Sequence, residues 1–142
     1  MRKISGRKVE KNIYNNIRRN KPKWWIFRFN ENRRNSTPAD IIVASNKFVA
    51  LIEIKATSGE IIQKGNIRPS QREHLTSFAK LNKRHLSLLC FYFQKNRKYV
   101  LITIDNFIRL GKYRISFDNA EDTGIVIVKW KNTDRYMRKL KS

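Results

Sequence analysis

The chain has 142 residues, and its 32 Lys and Arg against 11 Asp and Glu leave a formal net charge of +21. That length suits one domain from about residue 1 to 142, and a 40% apolar content is enough for a core, which argues against wholesale disorder. No apolar run is long enough to span a membrane, and MRKISGRKVEKN has no apolar segment of a secretory signal, so a cytoplasmic setting is expected, in a cell or for a phage protein in its host. Such a charge attracts polyanions, with nucleic acid the leading partner. A solvated basic surface and an anionic membrane are the weaker readings, since no basic amphipathic helix stands out. The lone Cys90, inside LSLLCFYF, has no internal disulfide partner and reads as a small buried residue.

In chain order, a basic arm at about 1–6 leads into a helix from about Arg7 to Arg19, where Val9, Ile13 and Ile17 repeat every fourth residue. Asn20-Lys21-Pro22 ends it. Trp24–Phe29 reads as a strand and 30–37 as a polar loop. Asp40–Ala44 and Phe48–Ala56, rich in Val and Ile and joined by Ser45-Asn46-Lys47, predict a β-hairpin. Thr57–Arg68 reads as a mobile loop. Ser70 and Glu73 predict a capping box at the start of a second helix, whose buried face is Leu75, Phe78 and Ala79. Strands at Leu86–Phe93 and Tyr99–Ile104 flank a turn at 94–97, and Asp105 caps a short helix ended by Gly111. Ile125–Trp130 reads as a last strand before a basic tail at about 133–142. The order predicts an α/β (α+β) domain with a central mixed sheet flanked by helices.

Acidic residues are scarce, so their placement is informative. Asp40 in Thr37-Pro38-Ala39-Asp40 and Glu53 in Leu51-Ile52-Glu53-Ile54-Lys55 lie on the most apolar stretch of the chain. Residues two apart in a strand share a face, so Glu53 and Lys55 point one way while Ile52 and Ile54 point the other. If the hairpin pairs these strands, Asp40 comes near Glu53. Two such carboxylates repel unless a divalent cation neutralises them, and Mg²⁺ favours hard oxygen ligands. An ion there suits phosphodiester hydrolysis, with the Lys55 ammonium orienting or deprotonating water, or neutralising phosphate. The alternative is a solvent-facing Glu53–Lys55 pair on an edge strand. Glu10 has its own alternative, an exposed carboxylate near a helix start. His74 suits phosphate contact or a plain surface site, and His85 has no evident partner. Trp24, Trp25 and Tyr92 suit either an interface or the core.

Pro38-Ala39-Asp40 followed by Glu53-Ile54-Lys55 resembles the signature of PD-(D/E)XK nucleases. The wider pattern resembles their Holliday-junction resolvase branch, of the archaeal Hjc and bacterial RecU type. Gly6 and Glu10 in the first helix, the aromatic strand ending at Arg28, Ser36 before the aspartate and Gln71 opening the second helix follow that order over about residues 6 to 110. The resemblance implies a restriction-endonuclease-like fold and an Mg²⁺-dependent endodeoxyribonuclease, with Mn²⁺ as a substitute, acting on four-way DNA junctions as a homodimer. It implies that Glu10, Asp40 and Glu53 hold the metal, that Lys55 serves the water, and that Gln71 supports the site. Arg28 and Ser36 become candidates for phosphate contact, joined by the basic Arg7, Lys8, Arg33, Arg34 and Arg68. The 56–68 loop becomes a candidate junction-binding element. Another DNA nuclease of the same fold and a non-catalytic basic nucleic-acid-binding module stand as alternatives.

Overall fold

The structure, a computed structural model, describes residues 4–29, 37–110, 114–119, 125–127 and 137. Helix α1 (Gly6–Asn20) starts where the Ser5 hydroxyl accepts the Lys8 backbone N–H at 3.2 Å. The arm is shorter than expected: the Ile4 N–H donates to Gln94 Oε1 at 2.9 Å, and Ile4 packs against the core. Residues 1–3 lie outside the described residues.

Strands β1 (Trp25–Arg28), β2 (Ile41–Ala44) and β3 (Val49–Thr57) form an antiparallel meander, with Arg28 opposite Ile41 and Ile41 opposite Ile52. The predicted hairpin is therefore present. β3 then pairs in parallel with β5 (His85–Phe93). A parallel neighbour needs a crossover, and helix α2 (Pro69–Lys80) supplies it. β6 (Lys98–Thr103) and β8 (Ile125–Ile127) extend the sheet in antiparallel fashion, in the order β1-β2-β3-β5-β6-β8. The mixed sheet flanked by helices agrees with the expected fold class.

Two apolar layers sandwich this sheet. On one face Val9, Ile13 and Ile17 of α1 meet Ile41, Val43, Ile52 and Ile54. On the other, Leu75 of α2 and Phe107 of the short helix α3 (Ile104–Ile108) meet Leu51, Leu89 and Phe91. Central strands covered on both faces are apolar on both, as β3 and β5 are. Cys90 is fully buried, and burial pushes its thiol above its usual range, so it is an inert packing residue. Met137, within the expected basic tail, is buried in the α1-side layer; the rest of 133–142 lies outside the described residues.

Several local expectations change. The 57–68 segment is structured, because β4 (Ile61–Gln63) pairs with β7 (Arg114–Ser116), a turn of 3-10 helix follows at 64–66, and Ile62 and Ile67 are buried. Helix α2 begins one residue before Ser70. Pro69 holds its first position, Arg68 is its extended N-cap, and Gln71 rather than Glu73 bonds back to the cap backbone. A residue before proline avoids the helical region, which sets that boundary. Thr103, not Asp105, caps α3 by accepting the Asn106 N–H at 3.2 Å. Gly111 and residues 128–130 lie outside the described residues.

Candidate active site

The hairpin register builds the centre of the site. The Asp40 N–H donates to the Ile52 carbonyl at 3.1 Å, which extends the β2–β3 ladder by one residue and sets Asp40 beside Glu53. The Asp40 carboxylate oxygen Oδ2 accepts the Ile54 N–H at 2.8 Å, so the backbone of β3 fixes its orientation. Glu53 lies on the face that carries Leu51, towards α2, and is only 2% exposed. A buried glutamate in the middle of an apolar strand costs stability, so its neighbours must hold it.

Those neighbours converge on one of its two oxygens. Gln71 Nε2 donates to Glu53 Oε2 at 2.7 Å, and Lys55 Nζ stands 3.5 Å from the same atom. Gln71 is itself fixed, because its Oε1 accepts the Arg68 backbone N–H at 3.3 Å. One amide thus closes the start of α2 and grips the glutamate on β3. Ser87 Oγ, buried on β5, donates to the Leu75 carbonyl and ties the same helix to the sheet. Glu53 Oε1 is buried with no hydrogen-bond partner.

The electrostatics follow from this crowding. Burial first, and then the adjacent Glu53 charge, push the Asp40 carboxyl up to about 7, against the lowering effects of the Ile54 N–H and Lys55. Burial also raises Glu53, although Lys55 and Gln71 favour its charged form. Both carboxyls are therefore shifted towards keeping a proton in the absence of a cation. A hard cation between them would replace that proton and give Oε1 the partner it lacks, so the donor set fits a divalent ion of the Mg²⁺ kind.

The structure thus brings Asp40, Glu53, Lys55 and Gln71 together. It places Glu10 elsewhere: buried at 5% exposure on the inner side of α1, with Oε1 accepting Arg28 Nε at 2.7 Å. Glu10 is therefore not the exposed carboxylate of the alternative reading, and Arg28 is engaged with it. Among the described residues no three His, Cys, Asp or Glu side chains gather in reach of one ion. Arg7 and Lys8 are exposed on the first turn of α1, and Arg68 is exposed at the N-cap of α2, beside Gln71. Arg33, Arg34 and Ser36 lie outside the described residues. Glu53 and Lys55 are not an edge pair, since β3 has neighbours on both sides. His74 is exposed, and His85 stacks on Phe78 with ring centroids 4.2 Å apart. Sequence reasoning did not foresee the Ile54 N–H as a partner of Asp40; only the pairing register reveals it.

The mixed sheet thus carries two carboxylates at the open end of a hairpin, Asp40 fixed by the β3 backbone and Glu53 by Gln71 of the crossover helix. The chain belongs to the nuclease-related domain (NERD) family, which matches residues 5–108. Among solved structures it is similar to Hjc, a Holliday junction resolvase from Archaeoglobus fulgidus. The TM-score is 0.65 at 14% identity, over 87% of this chain and 97% of that one. No curated protein matches the sequence. The resemblance to PD-(D/E)XK nucleases is thus upheld in family and fold. No helix among the described residues is long and apolar enough to cross a membrane.

Proposed function

We propose that this protein is an Mg²⁺-dependent, structure-specific endodeoxyribonuclease that cuts branched DNA, with a four-way junction as its substrate and a homodimer as its working form. The observation that carries this reading is the buried Asp40–Glu53 pair, with Glu53 Oε1 lacking a donor and Lys55 alongside. Asp40 and Glu53 would hold the ion, which supplies Lewis-acid stabilisation of the charge that builds on the scissile phosphate. Lys55 has a third of its side chain exposed and reaches outward from the pair. Its ammonium orients the attacking water or neutralises a phosphate oxygen. Gln71 keeps Glu53 aimed and its second oxygen free. Glu10 holds Arg28 in this arrangement, and a part for it in metal binding would require it to move. A junction presents two related strands, and a two-fold dimer offers two matching sites. The likeness to the archaeal resolvase supports the choice of substrate.

The test compares a four-way junction, a fork and a linear duplex, with and without Mg²⁺. Symmetric paired nicks near the branch point, only with Mg²⁺, are expected. Asp40→Asn and Glu53→Gln should each lower cleavage on the order of 10²–10³-fold. Junction binding should survive or tighten, because a negative charge near phosphate is gone. Equal cutting of all three substrates would make it a general nuclease. Unchanged cleavage in the double variant would place the chemistry elsewhere.

A further inference from the structure

The most exposed aromatic side chains among the described residues are Trp25, 58% exposed, and Phe27, 49% exposed, both on the edge strand β1. Their rings lie nearly parallel, 8° apart with centroids separated by 6.2 Å, and Phe29 meets Phe27 edge-on at 5.5 Å. Alternate residues of a strand share a face, so the three rings form one row. Phe29 rests against the α2-side apolar layer and anchors the row. The row also has a direction. The Phe29 N–H donates to the Asp40 carbonyl at 2.9 Å, so the rings run along the sheet face to the position of the carboxylate pair. By strand geometry, Trp25 and Phe29 lie roughly 13 Å apart.

We propose that Trp25 and Phe27 form a stacking platform for unpaired DNA bases next to the cleavage site. This rests on the nuclease reading and refines its substrate, to branched DNA with unstacked nucleotides at the branch. Bases stack on aromatic faces whatever their identity, while a cationic body holds the phosphates. The net charge of +21 supplies that attraction. Two rings also cover far less than the roughly 800 Å² per partner of a stable protein interface.

The test measures binding in EDTA, where no cleavage occurs, to labelled oligothymidylate and to a blunt duplex. W25A/F27A should weaken oligothymidylate binding about 10–100-fold and change duplex binding by less than about twofold. W25F/F27Y, which keeps both rings, should restore it. Equal losses on both ligands, or none, would overturn the proposal. So would a shift from dimer to monomer in sedimentation with unchanged oligothymidylate binding, which would assign the rings to a second copy. Failure of the nuclease reading would appear separately, as cleavage indifferent to Asp40→Asn and Glu53→Gln.

Discussion

At the scale of single residues, the site is a problem of surplus negative charge in a positive molecule. Asp40 sits at about 7 because burial and Glu53 both oppose its ionisation. In the unfolded chain it ionises near the ordinary carboxyl value of 3.8. The folded state therefore binds more protons between those two values. Without a divalent ion, this group's contribution is greatest at acidic pH and is lost as pH rises through about 7. Urea unfolding in EDTA should show the wild type losing stability from pH 5.5 to 8. Asp40→Asn should flatten that loss and be more stable than wild type at pH 8 by ~2 kcal/mol. Identical pH slopes for the two proteins would contradict this account of Asp40. Asp40, Glu53 and Lys55 were legible in the sequence because a period of two fixes which strand residues share a face. The Glu10–Arg28 pair was not, since it joins a helix to a strand 18 residues away and no local pattern encodes that approach.

At the scale of elements, α2 carries most of the positioning. Its first turn presents Gln71, whose two amide atoms serve the helix end and Glu53 at once. Gln71→Ala removes both bonds and leaves Glu53 Oε2 with Lys55 alone of these two neighbours. It should cost ~1–2 kcal/mol of stability, measured by urea unfolding. It should also slow cleavage more than it weakens junction binding, because it touches aim rather than phosphate contact. The helix itself was readable from its apolar period and from Pro69, but its cap lies two residues earlier, at Arg68 and not Ser70. Both Ser70-Glu73 and Arg68-Gln71 sit at cap spacing, and only the restriction that Pro69 puts on Arg68 decides between them. The 57–68 segment looked like a loop because its strand is three residues long and finds its partner at 114–116. A strand that short has no periodicity to detect, and Gly59 and Gly65 pointed the other way.

At the scale of the whole molecule, charge and topology work together. A body at +21 should bind any DNA with a steep salt dependence, the logarithm of affinity falling linearly with the logarithm of salt concentration. Titrations of junction and duplex between low and moderate salt should give nearly parallel lines, and a flat line for either would remove phosphate contact as the main attraction. Fold class was legible from element order alone. Strand order was not, because the sequence does not announce that β5 crosses over to lie beside β3. That one parallel neighbour has a kinetic consequence. The β2–β3 hairpin is local and should close first, whereas the Gln71–Glu53 bond needs the crossover helix α2 docked on the sheet. A nascent or partly opened chain would hold its acidic pair without a clamp. Under the proposed reading, competence to cut would then arrive with the docking of the crossover.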